Sequence, residues 1–376
     1  MLRLLSVAVL LFAATPAAPI VIRHDKQAAA SIELARPFTA TVRCEPDGSG
    51  TLIDDRWVLT AAHVARLFSP FQPRMEIDGE LRAVRQVRFH PKGQEAGDRP
   101  PEVDLALVEL EEPVEGIRPV PLYREREELG RPVVVVGYGD HGKPGAPFAH
   151  PDGRRRAATN TVANAEGRRL HLVFDEPPSG TELEGVGGPG DSGGSLYLQT
   201  EEGPVLLGVS SGSTGGPPGS YGVTDLYVRV SDFLEWIDGT RERAAKEPPR
   251  RVELEDLSDG FPEGEGGELL DALFTAFALG EREAFDEIAA EWRSAGAKRR
   301  NPGGAFGSRL AQEQAEVGAL EPDRLARVSD SHWAVLARSE RAGWLALHLR
   351  FKQEAGRLRL DDLYLVPEAE PAEDED

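Results

Sequence analysis

The run Gly190-Asp191-Ser192-Gly193-Gly194 constrains this chain more than any other feature. Glycines on both sides of a serine allow tight backbone conformations that expose the hydroxyl together with nearby N–H groups. A serine hydroxyl is a weak nucleophile at neutral pH. It needs a general base beside it and donors aimed at the oxyanion it creates. The chain supplies candidates for the base and for its orienting acid: Thr60-Ala61-Ala62-His63 follows an apolar, strand-like run, and Asp104-Leu105-Ala106-Leu107 opens another. Their order along the chain is His, Asp, Ser.

That order decides between two readings. Gly190–Gly194 also fits the G-x-S-x-G nucleophile elbow of α/β-hydrolases, in which the histidine follows the serine. Only His332 and His348 lie downstream of Ser192, in a segment that reads as another domain. The elbow also leads into a helix, whereas Ser195-Leu196-Tyr197-Leu198 reads as a strand. The elbow is the weaker reading.

The surrounding pattern is that of strands. Phe38, Ala40, Val42 and Cys44 alternate with Thr39, Thr41 and Arg43, and Leu170, Leu172 and Phe174 repeat the period. Val133–Val136 is continuously apolar, as in a strand buried on both faces. Short strands broken by Gly, Pro and Asp turns across about 200 residues argue for all-β barrels rather than βαβ units. Asp232 and Glu235 have the spacing of a capping box at the start of a helix.

With these residues in view, the chain resembles the trypsin/chymotrypsin-like serine proteases, in a bacterial-type, exported, disulfide-free form. The resemblance covers roughly residues 20–240. Gly50–Ile53 with Trp57–His63 is similar to the family's run into its catalytic histidine, and Phe89-His90-Pro91 to the segment before its aspartate. Val135–Gly139, Gly208–Gly212, Leu226–Val230 and Phe233–Ile237 are similar to the opening strand of the second barrel, the substrate-binding strand, the last strand and the closing helix. The resemblance implies two six-stranded antiparallel β-barrels with a closing helix.

It also implies roles. Ser192 would attack a peptide carbonyl, His63 would carry the proton and Asp104 would hold the imidazole, with the backbone N–H groups of Gly190 and Ser192 as the oxyanion hole. Alone, a histidine or aspartate beside a strand is more often structural; jointly, in this order, the catalytic reading wins. Val186 falls on the pocket floor, six residues before Ser192, where an acid would mark trypsin-like preference. Asp225 falls on the pocket's back wall, where it either binds a basic side chain or caps a turn. Ser210 and Gly212 would bind substrate backbone. Asp191 would pair with a new N-terminus. Ile20-Val21 is the candidate, although no Lys or Arg precedes it, so signal removal with trimming is the expected route. The family often carries cysteines at the positions of Gly48 and Val64; Cys44 is the only cysteine, so no intramolecular disulfide exists.

Residues 1–18 read as a secretory signal, with Arg3, an apolar stretch Leu4–Phe12 too short to span a bilayer, and small residues Ala14–Ala18. Pro19 is a poor neighbour for signal peptidase. Export to the periplasm or outside is expected, with no stable membrane insertion after signal removal. The net charge of −21 argues against nucleic acid as partner. No histidine outside the triad shows metal-ligand spacing, and no cofactor is implied.

The protease-like domain is expected over 19–246 and a linker rich in Pro, Gly and Glu over 247–267. An α+β domain of unknown role and unknown partner follows over 268–366, and a disordered acidic tail over 367–376. In the α+β domain, Leu270, Leu273, Phe274 and Phe277 predict a helix ended by Gly280, and Phe285, Ile288, Ala289 and Trp292 a second. Leu345, Leu347, Leu349 and Phe351 alternate as a strand, and Leu358–Leu365 reads as another. Helices before an antiparallel meander are similar to the cone-shaped NTF2-like fold. The functional expectation is an exported serine endopeptidase acting on polypeptides. A non-catalytic binding protein would normally have lost His or Ser, and an esterase would share the same acyl-transfer chemistry.

Overall fold

The computed structural model describes residues 20–44, 47–93, 103–146, 152–249, 252–301 and 304–371. The signal-like segment, His150 and the last five residues of the acidic tail lie outside them. The chain divides into two compact units, one of residues 1–67 and 75–248, the other of 68–74 and 249–376.

In the first unit, β1 (Val21–Ile22) and α1 (Ala28–Ala35) precede β2 (Thr41–Arg43), β3 (Ser49–Leu52), β4 (Trp57–Thr60), α2 (Ala62–Ala65), β5 (Arg74–Ile77), β6 (Glu80–Phe89) and β7 (Ala106–Leu110). Next come β8 (Pro132–Gly137), β9 (Arg156–Asn164), β10 (Arg169–Val173), β11 (Gly185–Val186), β12 (Ser195–Thr200), β13 (Gly203–Thr214), β14 (Thr224–Arg229) and α3 (Leu234–Ala244). Strands β2-β3-β4-β7-β6-β5 close one barrel and β10-β14-β13-β12-β8-β9 a second, while β1 pairs with β11. Closure removes the exposed strand edges that short, apolar strands would otherwise present.

The apolar alternations fill these barrels. Leu170 and Leu172 are wholly buried while Arg169, His171 and Val173 between them are partly exposed. One expected outward position turns inward. Thr41 is buried, and its Oγ1 lies 2.8 Å from both Ser195 Oγ and Tyr197 OH on β12. Thr51 on β3 also bonds Ser195, at 2.6 Å. The outer face of the first barrel is here the inner face of a junction with the second, so hydroxyls replace solvent-facing polarity. The expected capping box at α3 does not form. A 3-10 turn over Val230–Asp232 moves the N-cap to Phe233, which has no side-chain cap bond, and Asp232 pairs instead with Arg126 at 3.0 Å.

The second unit contains β15 (Leu254–Asp256), α4 (Glu265–Leu279), α5 (Arg282–Trp292), α6 (Ala295–Arg300), α7 (Ala305–Val317), β16 (Leu320–Ser329), β17 (His332–Ser339), β18 (Gly343–Glu354) and β19 (Arg357–Glu368). The strands form a five-stranded antiparallel sheet in sequence order. Helix residues Leu273, Phe277, Phe285 and Leu310 pack with Val335, Leu347, Leu349 and Leu363 from the sheet. Gly280 ends α4 in the left-handed conformation, as its position predicts.

Two expectations need correction here. The supposed linker holds β15 and the first turn of α4. Its glycines serve close approach rather than flexibility: a Cβ on Gly267 would stand 1.7 Å from the Pro262 carbonyl oxygen, and one on Gly266 2.3 Å from the Trp333 ring. The supposed tail begins inside β19, which runs to Glu368. β18 is also buried on both faces, since Ala346 and His348 are as inaccessible as Leu347 and Leu349. Among the described residues, no helix is long and apolar enough to cross a membrane.

Candidate active site

The turn between β11 and β12 carries Ser192. Gly193 adopts φ +77°, and a Cβ there would fall 2.1 Å from the Ser49 carbonyl oxygen, so only glycine fits. The amides of this turn are sharply divided. Asp191 N–H donates to Gly188 O, Gly193 N–H to Ser210 O and Gly194 N–H to Asp191 O, at 3.1, 2.8 and 2.8 Å. The N–H groups of Gly190 and Ser192 donate to no group among the described residues. Gly190 adopts φ +84°, in the left-handed region that favours glycine.

His63 lies on α2, directly after β4. Its Nδ1 is 2.5 Å from Asp104 Oδ2, and its backbone N–H donates to Asp104 Oδ1 at 2.9 Å. Ser211 Oγ donates to Asp104 Oδ2 at 2.9 Å. Asp104 is completely buried. Burial pushes its carboxyl pKa upward, but the hydrogen bonds from His63 and Ser211 outweigh that and hold it below the usual carboxylate range.

Two links bring Ser192 to this pair. Ser49 N–H donates to the Ser192 carbonyl at 2.7 Å. A Cβ on Gly48 would stand 2.7 Å from Val64 Cγ1 and 3.2 Å from Ser192 O, so Gly48 is wedged between the neighbour of His63 and the serine. Gly48 and Val64 thus touch where the resemblance would allow a cysteine pair. Cys44 is buried and free. Ser192 is half-buried, and its hydroxyl makes no hydrogen bond to His63 or to any other described residue.

Asp191 is buried behind the turn. Its Oδ1 accepts from Gly139 N–H at 3.1 Å and its Oδ2 from Gly188 N–H at 3.0 Å. Burial, reinforced by the charges of Asp47 and Asp140, pushes its pKa up to about 8. No cation neutralises it among the described residues. Ile20 is 1% exposed, and Val21 pairs with Val186 on β11.

The expected pocket residues separate. Val186 is fully buried in an apolar cluster with Val21, Phe174 and Val223. Asp225, on β14, is buried with its Oδ2 accepting the Gly187 N–H at 2.6 Å, and burial raises its pKa well above the usual range. A Cβ on Gly187 would lie 3.1 Å from that carboxylate and 3.7 Å from Tyr227 OH. Ser210 has both backbone polar groups committed, donating to Gly194 O and accepting from Gly193 N–H. β12 pairs with β13 only as far as Ser195–Val209. With Ser210 committed and Ser211 buried, the exposed part of β13 is Gly212, Ser213 and Thr214. Ser211 was not singled out in the sequence. A bulge between Ser210 and Gly212 sets which serine faces Asp104, and residue spacing does not reveal a bulge. No cluster of metal-ligating side chains occurs among the described residues.

Two closed six-stranded barrels, with His63 bonded to Asp104 and the Ser192 turn tied to β3 through Ser49, have the layout of the trypsin-like serine protease class. Residues 25–237 match the family described as Trypsin, and the chain belongs to that family. It is 30% identical to human kallikrein-12 over 212 residues, spanning 52% of this chain and 80% of the relative. It is 31% identical to the platelet-aggregating proteinase PA-BJ of Bothrops jararaca over 206 residues, or 50% of this chain and 82% of the relative. These are animal proteins rather than bacterial ones. The solved structure of neuropsin, described as a serine protease expressed in the limbic system of mouse brain, matches with a TM-score of 0.41 and 20% identity. That match covers 54% of this chain and 98% of neuropsin.

Proposed function

We propose that the chain is a serine endopeptidase. The observation that carries this reading is the hydrogen-bonded line from Ser211 through Asp104 to His63, with the Ser192 turn tied to β3 by the bond from Ser49 N–H to the Ser192 carbonyl. Ser192 Oγ attacks the peptide carbonyl carbon while His63 takes its proton at Nε2. Nδ1 is already committed to Asp104, which fixes that tautomer and stabilises the imidazolium. The two undonated N–H groups of Gly190 and Ser192 receive the oxyanion. His63 then returns the proton to the leaving amine, and water releases the acyl group by the reverse sequence. A peptide laid along the exposed edge of β13 adds a strand and presents its carbonyl to the serine.

Preference before the cleaved bond is for Lys or Arg, read by Asp225 instead of Val186. Asp225 is a buried carboxyl with no cation beside it among the described residues, and one buried acid suits one cationic side chain. The amino group that neutralises Asp191 comes from cleavage near Ile20, after export directed by residues 1–18. The test is turnover of quenched peptides differing before the cleaved bond, by protein whose first residue has been identified. Cleavage after Lys and Arg supports the reading. Cleavage only after Leu or Phe removes the Asp225 role, and no cleavage with intact folding removes the endopeptidase reading.

A further inference from the structure

Asp47 stands in the short connection between β2 and β3, and the two residues after it are held against the serine turn. The following residue, Gly48, is wedged between Val64 and the Ser192 carbonyl, and Ser49 N–H bonds that same carbonyl. The side chain reaches over the serine turn: Asp47 Oδ1 is 3.3 Å from where a Cβ on Gly190 would be. Asp47 keeps exposed surface, but the protein packed around its carboxyl raises its pKa above the ordinary value, an effect that the charges of His63 and Arg43 oppose; the carboxyl accepts no hydrogen bond and makes no ion pair among the described residues. His63 lies within its electrostatic reach, and so does Arg43, which is itself paired with Glu76 at 3.1 Å.

This placement puts an unneutralised carboxylate beside the N–H groups that would receive the oxyanion. A second negative charge developing there is disfavoured unless a cation is close. The acyl half of a substrate would occupy the wall of Gly187, Asp225 and the β13 edge, all from the second barrel. Asp47 comes from the first barrel, on the other side of Gly190, where the departing half lies. We infer that Asp47 selects peptides with a lysine or arginine within the two residues after the cleaved bond. The inference rests on the endopeptidase reading and names a feature of its substrate.

The test uses quenched peptides identical except for Arg or Glu at the first, and in a second pair at the second, residue after the cleaved bond. Cleavage points are confirmed by mass spectrometry. The readout is the Arg-to-Glu ratio of kcat/KM within each protein, so a general effect on catalysis cancels. The processed wild-type protein is expected to favour Arg at one of the two positions by about three- to fivefold, the upper range for a solvent-exposed ion pair. The ratio is expected to shrink at high salt, to approach one in Asp47→Asn and to invert in Asp47→Lys. A wild-type ratio near one at both positions, or a ratio unchanged in Asp47→Asn, overturns the inference while leaving the endopeptidase reading intact. Wild-type protein that cleaves none of the peptides, with Ser192 inert to a fluorophosphonate, overturns both.

Discussion

Asp104 holds His63 at two points, accepting from the backbone N–H with Oδ1 and facing the ring Nδ1 with Oδ2. The grip fixes both the position of α2 and the rotation of the imidazole, and Ser211 supports it from behind. Asp104→Asn is expected to lower kcat by about 10⁴-fold with little change in KM, because an amide favours the wrong tautomer. Ser211→Ala is expected to lower it by about tenfold, the worth of one hydrogen bond to a charged group. Steady-state rates on one peptide substrate, with thermal melting as a control for folding, check both.

The uncompensated Asp191 carboxyl makes the unprocessed chain pH-sensitive. Its pKa is pushed up to about 8 from an ordinary value of 3.8. The folded state therefore keeps a proton that the unfolded chain releases. Its contribution is fully present below about pH 4 and is lost as pH rises through about pH 8. The melting temperature of unprocessed protein is expected to fall from pH 5 to pH 8, more steeply than that of Asp191→Asn. Glu313 and Glu368, each raised to about 7, titrate in the same window, so the difference between the two proteins is the quantity to measure. Processing that places an ammonium beside Asp191 is expected to reverse the slope.

Gly193 leaves no room for a side chain. Gly193→Ala is expected to cost about 1–2 kcal/mol for left-handed backbone and about 1–3 kcal/mol more for overpacking against Ser49. Denaturant unfolding measures the loss. Labelling of Ser192 is expected to fall with it, since the same turn aims the serine.

Away from the site, Glu128 and Arg229 form a buried pair, with Arg229 Nε 2.9 Å from Glu128 Oε1 and Ser231 donating to the same oxygen. Glu128→Ala leaves the guanidinium buried and unpaired, and is expected to destabilise by about 3–5 kcal/mol. Urea unfolding of the variant checks this. A loss below 1 kcal/mol would place the pair among weakly contributing ones.

The barrels were legible because their strands alternate or run apolar between Gly and Pro turns, as at Leu170–Phe174 and Val133–Val136. The pairing of His63 with Asp104 was legible through their order and flanking motifs. Features set by long-range packing were not. Thr41 turned inward because another barrel lies against it, and Ser211 met Asp104 at a bulge that spacing does not show. In the second unit, α4 and α5 announce themselves by tightly spaced apolar residues. α7 buries Phe306, Leu310 and Val317 at wider intervals among polar residues, so its period is weak. The glycines at 264–267 carry the composition of a linker, yet two of them are the only residue type that fits against Trp333 and Pro262.

The most direct test of the account is labelling by a fluorophosphonate probe. Processed protein with an identified first residue is compared with Ser192→Ala, and the labelled site is located by mass spectrometry. The expected result is stoichiometric modification of Ser192, absent from the variant and slowed in Asp104→Asn. Folded, processed protein that takes up no probe, or takes it elsewhere, would contradict the claim that His63 and Asp104 activate this serine.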